Sequence, residues 1–575
     1  MIPAGNRVGV GSDGELEELV GGRGGAIPVS GIPALPLPSE SKPSGVPPPG
    51  SMSRTCGMPD SVDTISGRLV FRKILVANRG EIAVRVIRTC REMGIPVAAV
   101  YSEPDRGSKH VQLSDEAYAI GPASPTESYL DIDRILDAAA QAHADAVHPG
   151  YGFLSENADF ADACARAGVK LIGPTAAAIR SMGVKTRARE IMAAANIPVV
   201  PGSPTAVSDA TAAASIARET GYPVMLKAAA GGGGKGMRLV ERPEALPSAW
   251  TEAQGEAQRA FGSDEVYVEK AIVRPRHVEV QILADEVGTI AHLGERECSL
   301  QRRHQKVLEE TPSPFVETRP EVRAALCEAA IAAARATGYT NAGTVEFLVD
   351  SAGRFYFLEM NTRLQVEHPV TELVTGIDLV REQIRIAAGF PLRYPPGTVT
   401  FRGHAMQCRI YAEDPEADFL PSPGRINRLA WPEGPGIRVD SGAEQGWTVP
   451  VEYDPLIAKL CAWAPTRDEA ISKLRQALRE TVVGGIATTL GFFRELLEDS
   501  RFQAGEIDTG FLGRGLGPDA REAAAPSSGE KLAAMLAAVE ASRGRGDQGR
   551  GPAPVPSRWK TRGRTWTPFV DGGNR

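Results

Sequence analysis

The chain has 575 residues, of which 42% are hydrophobic and 23% charged, and its 64 basic and 71 acidic residues give a net charge of −7. This length predicts several domains, and the acidic balance argues against a dedicated nucleic-acid-binding protein. The sequence has no run of about 18 apolar residues, which a membrane-spanning helix needs. The seven cysteines form no CxxC pair, so we expect a reducing, cytoplasmic location without disulfides or structural zinc.

Residues 1–68 form a leader that we expect to be disordered. Between positions 27 and 50, eight of 24 residues are proline, and such a segment buries too little apolar surface to offset its ordering entropy. It also lacks the basic start and apolar stretch of a secretory signal. Two interpretations stay open: a flexible leader, or a translation start at Met52 or Met58.

The first folded unit is predicted over residues 69–182. Residues 73–77 (KILVA) are a compact apolar run, which predicts a buried strand. A turn at 78–80 precedes a predicted helix over 81–93, which Gly94 ends, and residues 95–101 predict the next strand. Strands and helices alternate to about residue 172, which predicts a parallel sheet with helices on its faces.

A second unit is predicted over residues 183–390, and it contains a glycine-rich hairpin. Residues 223–227 (PVMLK) and 237–240 (MRLV) predict two strands on either side of 231–236 (GGGGKG). Four consecutive glycines let backbone N–H groups approach phosphate oxygens closely, and Lys227 and Lys235 add positive charge. Because Lys235 is followed by glycine and a strand, this is not a Walker P-loop. A hairpin without a ligand is the alternative.

Two acidic residues lie on a second predicted hairpin, formed by residues 343–349 and 354–361. A loop of two or four residues pairs positions whose numbers sum to 703 or 705, and both registers place Glu346 and Glu359 on one face. A loop of three residues would separate them. Asn361 and Arg363 continue that face. Carboxylate and amide oxygens suit a hard cation such as Mg²⁺, and a solvent-facing polar side of a sheet is the alternative.

Further polar residues surround this hairpin in sequence. Arg363 offers a planar fork for a carboxylate-like anion such as bicarbonate, and Glu367 can act as a base, unless this is a surface loop that Pro369 ends. Residues 295–298 (EREC) and 301–306 (QRRHQK) suit an oligophosphate site or a solvated charged face. His277 alternates with apolar neighbours, as a strand-surface histidine would. Cys298 is interpreted as a buried small residue rather than a nucleophile.

A third unit, rich in short strand-like runs, is predicted over residues 402–512, and residues 513–575 form a tail. Within the tail, residues 530–540 carry apolar side chains on one face, which predicts a short amphipathic helix. Residues 541–566 hold seven basic side chains and one acidic. This basic segment either contacts a partner or is simply solvated.

Several long motifs together resemble the biotin carboxylase component of biotin-dependent carboxylases, an ATP-grasp enzyme. They are residues 73–82 (KILVANRGEI), 148–157 (HPGYGFLSEN), 231–236, 301–306 and 359–369 (EMNTRLQVEHP). The resemblance implies an α/β and α+β multidomain fold. A Rossmann-like parallel sheet would occupy 69–182, an ATP-grasp domain 183–390 with a mobile lid subdomain at about 199–273, and a mostly antiparallel β domain 402–512.

The resemblance also implies roles for the matching positions. ATP would contact Lys185, Lys227, Gly231, Gly232, Gly233, Gly234, Glu269, Ile272, His277, Gln301 and His304. A Mg²⁺ or Mn²⁺ ion would be held by Glu346, Glu359 and Asn361, and bicarbonate by Lys306, Arg363, Gln365 and Val366. The catalytic residues would be Arg409, which steadies the biotin enolate, the base Glu367, and Lys306 and Arg363. A dimer contact would include Arg85, Arg88 and Glu92.

The implied activity is carboxylation of biotin on a separate carrier protein, through carboxyphosphate made from ATP and bicarbonate. This is the first half-reaction of an acetyl-CoA or other acyl-CoA carboxylase, as in fatty acid biosynthesis. None of the eleven methionines precedes a lysine, as the biotin acceptor would require, and the chain ends before a carboxyltransferase domain. We therefore expect a homodimeric subunit that works with a biotin carboxyl carrier protein and carboxyltransferase subunits, without nucleic acid or membrane.

Three alternatives stay open. The chain could serve a two-subunit pyruvate carboxylase, or it could be another ATP-grasp ligase that activates a different carboxylate. It could also be a catalytically silent assembly protein, although the presence of the implied lysine, glutamate and arginine residues argues against silence. Gln407 and Tyr411 stand beside Arg409 where many relatives carry Glu and Asn, which concerns the biotin side of the site.

Overall fold

The computed structural model describes residues 70–229 and 236–516. The predicted leader, the four-glycine tip with Lys235, and the tail from residue 517 onward, with its predicted helix, lie outside these residues. Within the described ranges, no helix combines the length and the apolar character that crossing a membrane requires.

The N-terminal part is a parallel sheet covered by helices, as predicted. Its strands are β1 (Ile74–Val76), β2 (Val97–Tyr101), β3 (Glu116–Ala119), β4 (Ala146–His148) and β5 (Lys170–Leu171), in the order β3-β2-β1-β4-β5. Its helices are α1 (Gly80–Glu92), α2 (Lys109–Leu113), α3 (Ile132–Gln141), α4 (Ala158–Arg166) and α5 (Ala176–Gly183). All the strand pairings in this sheet are parallel.

Strand β1 is completely buried because all three of its residues are apolar, which suits a strand between two helical layers. The chain then turns sharply into α1 through Gly80, whose φ of 66° is accessible to glycine without a side-chain clash. Since β1 and β4 are parallel neighbours, the loops after them meet at one edge of the sheet. There Asn78 Nδ2 donates to the carbonyls of Pro149 (2.7 Å) and Tyr151 (2.8 Å), which fixes the 148–157 motif.

A small three-stranded unit follows, with its own hydrophobic core. Its elements are α7 (Ala210–Thr220), β6 (Val224–Ala228), β7 (Met237–Val240), α8 (Leu246–Phe261) and β8 (Val266–Lys270). Helix α6 (Lys185–Ala194) precedes this unit in the chain, but its buried residues Ala188 and Met192 pack into the core of the large antiparallel sheet. Strand β6 pairs with β7 and with β8, both antiparallel. The strands predicted on either side of the glycine run are therefore confirmed.

The remaining elements build around one large antiparallel sheet. In chain order the strands are β9 (Arg276–Ala284), β10 (Ile290–Arg302), β11 (Gln305–Thr311), β12 (Asn341–Val349), β13 (Phe355–Asn361), β14 (His404–Tyr411), β15 (Glu413–Asp414), β16 (Leu420–Pro421), β17 (Gly424–Arg425), β18 (Arg428–Ala430), β19 (Ile437–Ser441), β20 (Thr448–Val449), β21 (Leu456–Ala464) and β22 (Val482–Gly484). The helices are α9 (Pro314–Glu317), α10 (Pro320–Ala336), α11 (His368–Thr375), α12 (Leu379–Ala387), α13 (Arg467–Glu480), α14 (Leu490–Glu498) and α15 (Ser500–Gln503).

The large sheet has eight strands in the order β13-β12-β9-β10-β11-β14-β21-β19. Strand β11 pairs with β14 antiparallel, with Glu309 opposite Gln407. The sheet thus continues from residues of the second predicted unit into residues of the third. This continuity brings the 301–306 hairpin, the 359–369 segment and Arg409 to one region, although they are far apart in sequence.

Candidate active site

The two acids of the second hairpin share a face, as predicted. Glu346 on β12 lies directly opposite Glu359 on β13. The predicted loop length was wrong, however: Asp350 N donates to Arg354 O (2.9 Å), which leaves three residues in the loop. Such a loop alone would separate the acids. A β-bulge at Leu358 inserts one extra residue into β13 and restores the pairing of the two glutamates.

Glu346 is surrounded by donors. Its Oε1 accepts from Lys306 Nζ (2.8 Å), Asn361 Nδ2 (2.7 Å) and Gln365 Nε2 (2.9 Å), and His277 Nε2 lies 2.7 Å from Oε2. Burial alone would raise the pKa of Glu346, but Lys306 and His277 together hold that pKa well below its ordinary value. Glu346 is therefore a fixed negative charge at neutral pH.

The electrostatic environment of Glu359 is opposite to that of Glu346. Among the described residues, its carboxylate has no hydrogen-bond or ion-pair partner. Burial and the neighbouring Glu346 raise its pKa, while Lys185 opposes the rise. A divalent cation fits this arrangement, because two carboxylates on one face supply hard oxygen ligands and added positive charge would relieve their repulsion. Ligand-type atoms of His277, Glu279 and Glu346 also lie within 4.8 Å of one another.

Asn361 is oriented differently from a ready metal ligand. Its Nδ2 donates to Glu346, and its Oδ1 accepts from Arg363 Nη2 at 2.9 Å. The amide would have to turn over to present its oxygen to a cation beside Glu346.

Lys306 on β11 joins three carboxylates. Its Nζ lies 2.6 Å from Glu279 Oε2, 2.8 Å from Glu346 Oε1 and 2.8 Å from Glu367 Oε1. Burial would lower the pKa of Lys306, but these three acids raise it well above its ordinary value. The sequence prediction missed Glu279. The alternation of polar His277, Glu279 and Gln281 on β9 is the signal that could have found it, since residues two apart share a face.

Arg296 binds Glu279, one of the three acids that contact Lys306, and is completely buried. Its Nε donates to Glu279 Oε1 (2.6 Å), and its Nη1 donates to Gln281 Oε1 (2.8 Å) and Thr371 Oγ1 (2.9 Å). The interpretation of residues 295–298 as a solvated charged face is therefore wrong, because all four lie inside the sheet. Arg296 supplies the second positive charge that Glu279 needs when buried.

Arg409 on β14 bridges two acids. Its Nη2 donates to Glu367 Oε2 (3.1 Å) and its Nε to Glu309 Oε1 (2.5 Å). Burial would raise the pKa of Glu367, but Lys306 and Arg409 hold it far below its ordinary value, so Glu367 is ionised at neutral pH. Cys298 Sγ lies 3.7 Å from Glu367 Oε1, and burial raises the pKa of this thiol well above its usual range. Cys298 is thus a buried, protonated residue, as predicted.

Residues 363–367 are not an ordinary surface loop. Gln365 and Glu367 are buried, and Pro369 lies in the first turn of α11 instead of ending a loop. Arg363 Nε contacts Glu156 Oε2 (2.9 Å) and its Nη1 donates to Gln365 Oε1 (2.7 Å). The motif at 148–157 therefore reaches this segment through Glu156, a partner that the sequence prediction missed.

The hydrogen bond that Val366 makes in this region comes from its backbone carbonyl, not from its side chain. Its carbonyl accepts from Lys459 Nζ at 3.1 Å, and this ammonium also lies 3.0 Å from Glu81 Oε2. Lys459 is fully buried and was not predicted from the sequence. It ties the Val366 backbone to the first turn of α1.

The described residues that are predicted to contact ATP lie on α6, on the small unit, and on β9 and the β10–β11 hairpin of the large sheet. Lys227 Nζ lies 2.5 Å from Glu269 Oε2, and Arg189, which the sequence prediction missed, bonds to the other oxygen of Glu269. Lys185 is the first residue of α6; burial lowers its pKa, while Glu359 opposes the change. The Glu269 side chain is thus neutralised by two buried cations.

The remaining predicted positions lie around the β10–β11 turn. Gln301 Nε2 is 2.7 Å from His277 Nδ1. His304 lies at the turn, where its backbone φ is 67°, and partial desolvation followed by the nearby charge of Lys227 lowers its pKa. Ile272 is half-buried just after β8. The four glycines Gly231, Gly232, Gly233 and Gly234 lie outside the described residues.

Three family models match the chain. They are the N-terminal domain of biotin carboxylase over residues 70–179, the ATP-binding domain of the carbamoyl-phosphate synthase L chain over 184–394, and the biotin carboxylase C-terminal domain over 407–514.

Two relatives and one solved structure show the extent of the similarity. Biotin carboxylase from Nostoc sp. is 53% identical over 442 residues, which cover 77% of this chain and 98% of the relative. A pyruvate carboxylase subunit from Methanothermobacter thermautotrophicus is 51% identical over 443 residues, covering 77% and 90%. The biotin carboxylase domain dimer of Hydrogenobacter thermophilus 2-oxoglutarate carboxylase, in complex with MgADP, ADP and bicarbonate, is 46% identical with a TM-score of 0.75, covering 79% of this chain and 99% of that one. The chain belongs to the biotin carboxylase family of ATP-dependent ligases.

Proposed function

We propose that this protein uses ATP and bicarbonate to carboxylate biotin on a separate carrier protein, through carboxyphosphate. The observation that carries the proposal is the convergence of Lys306 and Arg409 on the ionised Glu367, beside the paired acids Glu346 and Glu359. Positive and negative groups are thereby fixed in place before any substrate binds. Phosphoryl transfer depends mainly on such positioning and charge neutralisation.

The nucleotide binds, in this proposal, between the small unit and the large sheet. Lys185 and Lys227 neutralise the phosphates, and Glu346 and Glu359 hold Mg²⁺ or Mn²⁺, with Asn361 joining after its amide turns over. When bound, the metal supplies positive charge for the transferred phosphoryl group. The predicted glycine tip and the small unit act as a lid, for which the separate core of that unit is the support.

Bicarbonate binds beside Arg363, Gln365 and the Val366 backbone. Arg363 provides positive charge beside the anion, and its orientation is fixed by its contact with Glu156. Glu367 Oε accepts the proton of bicarbonate as the nucleophilic oxygen attacks the terminal phosphorus of ATP, and ADP leaves. Lys306 keeps Glu367 ionised before this step and balances the charge around it.

Carboxyphosphate then breaks its C–O bond and gives CO₂ and phosphate. The phosphate takes the N1 proton of biotin, and the N1 electron pair attacks CO₂. The Arg409 guanidinium stabilises the negative charge that develops on the ureido oxygen, because it is buried, permanently charged and held between two carboxylates.

The test is ATP cleavage by the purified protein. We expect cleavage to require bicarbonate and to increase when free biotin is added. Cleavage that ignores bicarbonate would contradict the proposal, and cleavage that needs bicarbonate but ignores biotin would favour another carboxylate ligase.

A second candidate concerns the complex that the protein serves. We propose an acetyl-CoA or acyl-CoA carboxylase, with a biotin carboxyl carrier protein and carboxyltransferase subunits as partners. The similarity to the pyruvate carboxylase subunit of Methanothermobacter thermautotrophicus supports the alternative of a two-subunit pyruvate carboxylase. Copurification of the partners, followed by carboxylation assays with acetyl-CoA and pyruvate, separates the two.

We also propose a homodimer located in the cytoplasm. The dimer surface includes Arg85, Arg88 and Glu92, which line a charged cavity of about 380 Å³ together with Glu372 and other charged residues. The cytoplasmic location is supported by the six described cysteines, all buried free thiols, which suit a reducing compartment. Light scattering of the purified protein tests the dimer.

A further inference from the structure

Arg409 requires a fixed orientation if it is to face the ureido oxygen of biotin, and the structure shows what supplies it. Glu309 on β11 is fully buried, and its Oε1 accepts from Arg409 Nε at 2.5 Å. The other oxygen, Oε2, accepts from Gln407 Nε2 at 3.0 Å. Both oxygens of Glu309 are therefore engaged by side chains of the neighbouring strand, β14.

The strand pairing makes this contact rigid. Glu309 lies directly opposite Gln407 in the β11–β14 ladder, and Arg409 is two residues further along the same face of β14. Cys461 Sγ on β21 approaches Gln407 Oε1 at 3.6 Å, so Gln407 is held from its other side as well. Three neighbouring strands thus fix the Glu309 carboxylate.

The contact with Glu309 sets the orientation of the Arg409 guanidinium. Arg409 uses Nε toward Glu309 and Nη2 toward Glu367. Because the guanidinium is planar, fixing two of its nitrogens fixes the plane of all its donors. Without Glu309, Arg409 would keep only Glu367 as an acidic partner and could collapse onto the base.

We propose that Glu309 is a positioning residue for biotin carboxylation: with Gln407 as its support, it aims the Arg409 guanidinium at the biotin subsite. The inference rests on the proposed function, since it names what orients Arg409 in that reaction. Glu309 itself touches no substrate in this scheme. Its effect is therefore larger on the biotin-dependent step than on the phosphorylation of bicarbonate.

The test compares two rates in the same protein preparation: bicarbonate-dependent ATP cleavage without biotin, and the additional cleavage that free biotin stimulates. For Glu309→Gln, we expect the biotin-stimulated rate to fall about tenfold to a hundredfold more than the biotin-independent rate. The KM for biotin rises, whereas the KM for ATP changes less than about twofold. For Gln407→Leu, we expect the same direction and about a threefold to tenfold difference between the two rates.

Glu310→Gln is the matched control. Glu310 is the next residue of β11 and is equally buried, but it pairs with Arg467 and His404 and not with Arg409. We expect this variant to lose stability with an unchanged ratio of the two rates. If Glu309→Gln lowers both rates by the same factor, or changes neither, Glu309 is not a positioning residue.

If Glu309→Gln fails to fold, Gln407→Leu still tests the proposal, because it removes only the hydrogen bond from Gln407 to Glu309. An unchanged ratio of the two rates in this variant would also overturn the proposal. Failure of the proposed function looks different, since the unmodified protein would then show no biotin-stimulated rate at all.

Discussion

Replacement of Lys306 by methionine tests the charge balance of the site, because the two side chains have similar length and only the ammonium is lost. Lys306 Nζ lies between 2.6 and 2.8 Å from oxygens of Glu279, Glu346 and Glu367, all buried. Breaking a buried ion pair by removing one partner costs about 3–5 kcal/mol. Arg296 and Arg409 still neutralise Glu279 and Glu367, so we expect a loss of about 3–5 kcal/mol rather than a multiple of it.

The loss should depend on pH in a defined direction. In Lys306→Met the pKa values of Glu346 and Glu367 rise, because burial then acts without the nearest cation. Lowering the pH lets these acids take up protons in the folded state, so the stability deficit shrinks between pH 8 and pH 5.5.

The assay is urea unfolding followed by tryptophan fluorescence at both pH values, together with bicarbonate-dependent ATP cleavage, which should fall at least about a hundredfold. Lys473→Met is the control: its Nζ donates to the Pro435 carbonyl near the surface, and the change should cost about 1 kcal/mol or less. A loss below about 1 kcal/mol for Lys306→Met at pH 8 would refute the reasoning, as would a deficit that grows on acidification.

Three further outcomes are expected. Glu359→Gln should lower kcat about a hundredfold, and Mg²⁺, which we expect to raise the melting temperature of the unmodified protein, should not raise that of the variant; a rise in both would show that the metal binds elsewhere. Burial lowers the pKa of both His110 and His148 to about 4, so each histidine takes up a proton more readily in the unfolded chain than in the folded one. The folded state therefore loses stability as the pH falls from about 6.5 toward 4, by about 2 kcal/mol per histidine at pH 5. Replacing both by glutamine should flatten the unfolding free energy between pH 6.5 and 5, and an unchanged slope would contradict the assignment. Cys298→Ala should keep turnover within about threefold, since its pKa is raised by burial and it is no nucleophile; inactivation with an intact fold would contradict this.

Local sequence patterns predicted the elements well where one periodicity dominates. The apolar run at 73–77 became β1, and the helical spacing after it became α1, which begins at Gly80, one residue before the predicted start. The shared face of Glu346 and Glu359 was also predicted. The register was not, because the bulge at Leu358 depends on how β13 packs and leaves no mark in the alternation of polar and apolar residues.

The partners of the charged residues could not be predicted, because they come from long-range strand pairing. Glu309 and Gln407 are 98 residues apart in sequence and become neighbours only when β11 pairs with β14. Arg296 belongs to a charged run of the sequence, yet it is completely buried because polar groups of β9 and α11 converge on it. Composition indicates that such charges exist, but only the fold determines which of them neutralise one another.

Transfer of the terminal phosphoryl group of ATP to bicarbonate is tested most directly by following oxygen. The purified protein is given ATP, biotin and bicarbonate labelled with ¹⁸O, and the phosphate released is analysed by mass spectrometry. Because carboxyphosphate keeps a bicarbonate oxygen on phosphorus when its C–O bond breaks, we predict one labelled oxygen in each phosphate. Phosphate that contains no label, released while biotin is carboxylated, would contradict a carboxyphosphate intermediate.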